Sequence, residues 1–131
     1  MSVGLLDTSV VVDWDDPAVA AALPDEAAIS AITLAELTAG PHLASTVEER
    51  ARRQVRLQQV EATFDALAFD ASTARSYGQV VAAVVAMGRS HRRRVADLLI
   101  AATAHANGLP LYTRSPGDFD GVGKLIEIIG V

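Results

Sequence analysis

The side chains best suited to chemistry in this chain are four carboxylates: Asp7, Glu36, Asp97 and Asp118. Asp7 directly follows the apolar run Val3-Gly4-Leu5-Leu6, and an acid at the end of a buried strand is costly unless something pairs with it. Asp118 lies five residues past Thr113, beyond another apolar run, while Glu36 and Asp97 fall early in two predicted helices. Gathered acids repel, and each would hold its proton more tightly unless a cation neutralised the group. With no cysteine in the chain, a hard oxygen donor set selects Mg²⁺ or Mn²⁺. Such a site polarises a phosphodiester, generates hydroxide from water and stabilises the leaving oxygen.

Taken singly, most of these acids have simpler accounts. Glu36 has capping-box spacing from Thr33, a local helix-start device. Asp97 would complement a helix N-terminus, worth roughly 0.3–1 kcal/mol, or pair with Arg93 or Arg94. Asp118, in Ser115-Pro116-Gly117-Asp118-Phe119, has the look of a turn residue. Asp7 is the least easily dismissed, and the case rests on the set.

The elements that must position them alternate in type. Val3–Leu6, Ala27–Ser30, Ala66–Phe69, Pro110–Thr113 and Leu125–Ile129 read as short apolar strands. Between them, residues 9–23 read as a helical stretch broken at Asp15-Asp16-Pro17, with Thr8 or Ser9 as its cap. A helix is predicted from Thr33 to near Gly40-Pro41, and an amphipathic one from Thr46 to Phe64. Another runs from a Ser72 or Thr73 cap to Met87, and an apolar one from Val95 to Asn107, stopped by Gly108. This order predicts an α/β fold: a parallel sheet of about five short strands between two helical layers, in one domain spanning residues 1–131. In such sheets, sites form outside the carboxyl ends of the strands, where all four acids would lie.

Half the residues are apolar and 21% are charged, a globular composition. No run is long enough to span a bilayer, and Met1-Ser2 leads straight into a strand without a basic leader, so a cytoplasmic location and no membrane partner are expected. The net charge of −5 excludes a general nucleic-acid coat, yet no Lys or Arg occurs before Arg50. Ten of the eleven basic residues are Arg, clustered at Arg50–Arg56 and Arg89–Arg94. That preference suits bidentate phosphate or carboxylate contact, or equally a GC-rich coding sequence.

The chain resembles the PIN-domain proteins of the VapC type, the toxin halves of VapBC toxin–antitoxin pairs. The resemblance rests on four blocks in order: Leu5-Leu6-Asp7-Thr8-Ser9; Ser30-Ala31-Ile32-Thr33-Leu34-Ala35-Glu36-Leu37; Arg94 through Ala104; and Tyr112-Thr113-Arg114-Ser115-Pro116-Gly117-Asp118-Phe119. It implies a Mg²⁺-dependent endoribonuclease in which Asp7 and Asp97 are principal metal ligands. Glu36 would be a ligand or water-positioning base, and Asp118 a more variable fourth member. Thr113 matches the family's hydroxyl near the site, with Thr8, Ser9 and Ser115 as supporting hydroxyls. Ser115 stands where the family usually has Asn or Asp, which weakens direct coordination of a second metal by that loop and leaves one- and two-metal schemes open. The resemblance further implies a homodimer, an RNA substrate and a VapB-like antitoxin that blocks the acidic groove. Arg92, Arg93, Arg94 and Arg114 are the candidate RNA contacts, the alternative for the Arg89–Arg94 run being a solvated interhelical link.

Other readings fit less well. A haloacid-dehalogenase-like phosphatase would carry Asp at position 9, which is Ser9, and a receiver domain needs a Lys near the site, whereas Lys124 precedes the last strand. A non-catalytic PIN-fold module that binds RNA or a partner is the alternative from another class.

Overall fold

The computed structural model describes residues 1–131. Five strands, β1 (Val3–Leu6), β2 (Glu26–Ser30), β3 (Asp65–Leu67), β4 (Leu111–Thr113) and β5 (Ile128–Gly130), form one sheet in the order β3-β2-β1-β4-β5. All four pairings are parallel, with Leu6 opposite Ile29 on one side and Tyr112 on the other. The helices are α1 (Thr8–Val11), α2 (Pro17–Ala21), α3 (Ala31–Leu43), α4 (Val47–Thr63), α5 (Ala71–Ala86) and α6 (Val95–Ala106). Short 3₁₀ turns cover Arg92–Arg94, Pro116–Phe119 and Val122–Lys124. The expected parallel α/β/α architecture with five strands is what the chain adopts.

Alternation along the strands divides the interior into two cores. Leu5 and Leu111 face α5 and α6, joining Val80, Val84, Leu98 and Phe119. Leu6, Ile29 and Tyr112 face the other way, joining Val10, Val19, Leu37 and Val60 from α1 to α4. The apolar α6 is consistent with this placement, since Ile100, Ala101, Ala102 and Ala104 are all fully buried. No helix is long and apolar enough to cross a membrane.

Several local starts and stops differ from the sequence expectation. Neither Thr8 nor Ser9 caps α1; Asp7 holds that position in extended conformation, and both hydroxyls are directed elsewhere. Helix α3 begins two residues before Thr33, capped by Ser30, whose Oγ accepts the Thr33 amide at 3.0 Å. The Thr33–Glu36 capping box therefore does not form. The same helix continues past Pro41 to Leu43, and the Gly40 carbonyl accepts Arg53 Nη1 at 2.9 Å. Helix α5 is capped by Asp70, which takes both the amide and the hydroxyl of Thr73, so Thr73 is the donor and not the cap.

Strand order reverses between β1 and β4, because the chain winds outward through β2 and β3 on one side and through β5 on the other. That is the topological switch point, and its carboxyl edge is open for a site. Helix α3 leaves β2 at this edge, and α6, which runs down to β4, begins there. Close packing at the β1–β4 seam depends on Gly4: a Cβ there would collide with Cε1 of Tyr112 and stand 2.6 Å from its Cδ1. Tyr112 is itself buried, so its ring would have to shift within the core. Gly4→Ala is expected to destabilise the fold by about 1–3 kcal/mol, read as a lower urea midpoint; an unchanged midpoint would show that the seam can relax.

Candidate functional site

Asp7 is the first residue beyond β1 and is only 5% exposed. Its amide donates to the Tyr112 carbonyl at 2.9 Å, extending the β1–β4 pairing to the site. Its Oδ2 accepts two hydroxyls, Ser9 Oγ and Thr113 Oγ1, each at 2.8 Å. Those hydroxyls are in turn held by backbone: the Arg114 amide donates to Ser9 Oγ at 3.1 Å, and the Ser115 amide donates to Thr113 Oγ1 at 3.0 Å. Two amide-to-hydroxyl-to-carboxylate chains therefore converge on one oxygen. Each link polarises the next, which offsets the burial of the charge. Oδ1 makes no hydrogen bond within the protein and no buried side-chain oxygen is left unpartnered, so this second oxygen faces solvent at the site.

Glu36, in the second turn of α3, is exposed, and its Oε1 accepts the Thr8 hydroxyl at 2.7 Å. Thr8 also lies 2.9 Å from the hydroxyl of Thr33. Asp97 sits in the first turn of α6 and Asp118 in the 3₁₀ turn after β4. Arg94 bridges these two, pairing closely with Asp118 Oδ1 and standing 3.9 Å from Asp97 Oδ2. Together with Arg89, Arg93, Ser90, Asp118 and Asp120 it lines a surface cavity of about 390 Å³.

The four sequence-predicted acids thus share one edge of the sheet, and Asp97 registers all of them. Its carboxyl is pushed up to about 6, first by burial, then by the negative charges of Asp7 and Asp118, with a smaller push from Glu36 against the pull of Arg94. No three acids are drawn into a closed ligand group. The donor chemistry nevertheless fits a hard divalent cation: the donors are oxygen, Asp7 Oδ1 is open, and the neighbouring acids raise the Asp97 carboxyl in the way a cation relieves. Asp7, Asp97, Glu36 and Asp118 are the residues that would hold it.

The supporting residues divide. Thr8, Ser9 and Thr113 are engaged with the acids, whereas the Ser115 side chain makes no hydrogen bond and only its backbone contributes. Arg114 is turned away from the acids, its Nη1 paired with Asp13 at 2.7 Å. Arg92 and Arg93 are exposed and unpaired, while Arg94 is folded in against the acids. Sequence reasoning missed Ser30 and Thr33 as members of the site. Their signal was the spacing Ser30-x-x-Thr33-x-x-Glu36, which stacks three polar side chains near one face of a helix.

The Asp97 shift has a definite consequence for stability. Between the ordinary value of 3.8 and about 6, the folded chain holds more protons than the unfolded one, so stability falls as pH rises through that window. Above pH 6 the penalty is complete. Asp97→Asn is therefore expected to raise the melting temperature of the metal-free protein at pH 7.5 by about 3 °C, equivalent to about 1 kcal/mol after solvent screening. The gain should vanish below pH 4. A lower melting temperature at pH 7.5 would instead assign Asp97 a purely structural role.

The sequence profile of the PIN domain matches residues 4–124. Ribonuclease VapC5 of Mycobacterium tuberculosis is 37% identical over 133 residues, covering 98% of this chain and 95% of that protein. Among solved structures, VapBC-5 from Mycobacterium tuberculosis, a member of the VapBC family of toxin–antitoxin systems, superposes with a TM-score of 0.86 at 35% identity over the whole of both chains. FitAcB from Neisseria gonorrhoeae follows with a TM-score of 0.79 at 30% identity, covering 97% of this chain and 96% of that one. This chain belongs to the PIN domain family, and within it to the VapC type.

Proposed function

We propose that this chain is a metal-dependent endoribonuclease, the toxin component of a type II toxin–antitoxin pair, hydrolysing RNA phosphodiester bonds at the Asp7–Glu36–Asp97–Asp118 edge. The observation that carries the reading is the convergence of the other three acids on Asp97: burial and their charge raise its carboxyl to about 6, which supports a site that a cation would neutralise. Kinship with Ribonuclease VapC5 supports the reaction class, and likeness to VapBC-5 supports a VapB-like antitoxin as partner.

In this mechanism Asp7 and Asp97 would hold Mg²⁺, with Mn²⁺ as a substitute, and Glu36 and Asp118 would supply the remaining carboxylates of the site. The metal, when bound, supplies Lewis acidity at the scissile phosphate. The protein supplies the rest. Ser9 and Thr113 fix the Asp7 carboxylate so that Oδ1 alone is presented. Glu36, with Oε1 occupied by Thr8, keeps Oε2 free to take a proton from the attacking water. Arg94 lies where it can leave Asp118 for a phosphate oxygen, and the exposed Arg92 and Arg93 extend the contact along the backbone.

Base recognition has little aromatic surface to use. Trp14 is packed edge-on against Phe64 with centroids 5.0 Å apart, so backbone and shape dominate RNA binding. The exposed Val12 and Leu43 beside the Glu36 groove offer apolar surface to an antitoxin. A homodimer and a cytoplasmic location complete the proposal.

Purified chain is expected to cut RNA with Mg²⁺ or Mn²⁺ and to stop when both are chelated. Asp7→Asn should lose at least about 100-fold in rate with little change in RNA affinity. Wild type that binds RNA yet never cuts it with either metal would favour the non-catalytic module. Arg92→Ala combined with Arg93→Ala should weaken RNA binding and reduce the slope of log affinity against log salt by about 0.7 for each phosphate that is no longer neutralised. An unchanged slope would return the strip to a solvated link.

A further inference from the structure

We infer that Thr33 is a positioning residue for Glu36: a buried hydroxyl that commits the Thr8 proton to the Glu36 carboxylate and so holds that acid in place. The inference rests on the reading of Glu36 as part of the active site.

Each hydroxyl has one proton to give, and counting protons fixes the direction of every bond around Thr33. Thr8 Oγ1 donates to Glu36 Oε1 at 2.7 Å, which uses its only proton. The 2.9 Å contact between Thr8 and Thr33 must then have Thr33 as donor. With its proton committed, Thr33 Oγ1 can only accept from Ser30 Oγ, 3.3 Å away. Ser30 Oγ in turn accepts the backbone amide of Thr33 at 3.0 Å. All the bonds point one way, from the start of α3 through Ser30, Thr33 and Thr8 to Glu36.

Burial makes this direction matter. Ser30 and Thr33 are both 0% exposed, so water cannot substitute for a missing partner. A valine at position 33 would fill the same volume without the desolvation of a hydroxyl. Apart from Thr8, its partner in this chain, the other helical threonines illustrate the usual fate of such a group. Thr38, Thr63 and Thr103 each donate to a carbonyl three or four residues back, at 2.9, 2.7 and 3.0 Å, and Thr73 donates to its own cap, Asp70. Thr33 alone among these reaches across to another element. Its amide is already satisfied by Ser30, so helix capping does not require its hydroxyl.

The consequence is an exposed Glu36 side chain anchored, through the half-buried Thr8, to a pair of fully buried hydroxyls. An anchored carboxylate is ready for a metal or water, whereas a free one on an exposed helix face samples several rotamers.

The test compares wild type, Thr33→Val and Thr33→Ser by three measurements. These are Mn²⁺ affinity by calorimetry, kcat and KM for RNA cleavage, and the side-chain carboxyl ¹³C resonance of Glu36 in metal-free protein at pH 7. Thr33→Val should move the Glu36 resonance and lower kcat or Mn²⁺ affinity roughly ten-fold with KM for RNA unchanged, and Thr33→Ser should restore all three. Added to Thr8→Val, the Thr33→Val change should have no further effect, because the bond is already absent. If Thr33→Val does not fold, Thr33→Ala carries the same expectations. An unmoved Glu36 resonance, additive effects with Thr8→Val, or a Thr33→Ser that fails to restore would each overturn the assignment. A wild type that cuts no RNA overturns the nuclease reading alone, and the Glu36 resonance then decides the role of Thr33 by itself.

Discussion

The buried Asp7 carboxylate and the two hydroxyls that hold it are the constraint on which the rest of this site depends. An acid 5% exposed at the end of a strand is tolerable only where donors are fixed around it. The donors here come from different parts of the chain: Ser9 from α1, Thr113 from β4, and behind them the amides of Arg114 and Ser115. Satisfying Asp7 therefore locks the exit of β4 against the exit of β1. The turn that carries Asp118 begins directly after those amides, so the same bonds fix where the fourth acid stands.

Electrostatics then acts on what the hydrogen bonds have arranged. Asp97 is the acid with charge on every side, and its raised carboxyl reflects burial reinforced by Asp7 and Asp118. Arg94 offsets part of that repulsion from within the chain, close to Asp118 and farther from Asp97. It thereby differs from Arg92 and Arg93, its neighbours in the same 3₁₀ turn, which keep their charge in solvent. One basic run thus serves both the acids and the surface, a division that follows from the turn geometry and not from the residue type.

That distinction marks what the amino-acid sequence can and cannot convey. The strands are legible because apolar runs of strand length stop at Asp7, Ser30 and Thr113, and the alternation of strands with helices leaves a parallel sheet as the natural topology. The four acids are legible because topology alone sends them to one edge. The caps are not. Asp70 competes with Ser72 and Thr73, and Ser30 with Thr33, because several capping residues stand within three positions of each other and only tertiary contacts choose among them. Pro41 has the local signature of a stop, yet it falls in the last turn of α3, where few amide bonds remain to be lost. Arg114 has the chemistry of the basic strip, although Asp13, distant in sequence, claims it.

The short helix after Asp7 shows why hydroxyls at a helix start need not be caps. Thr8 and Ser9 are consecutive, so their side chains leave α1 about 100° apart. One points toward α3 and meets Glu36; the other points back toward the seam and meets Asp7. A cap at either position would have turned its oxygen onto the α1 amides and left an acid without its donor. The Val10 and Val11 amides instead take the Asp7 carbonyl, at 3.0 and 3.3 Å, which starts the helix with no side-chain cap at all. Omitting that cap costs of order 1 kcal/mol, and α1 spans only Thr8–Val11. The burial of Val10 and Val11 in the core holds it in place. The dipeptide therefore trades local helix stability for control of two carboxylates on different elements, and its identity follows from the site more than from the helix.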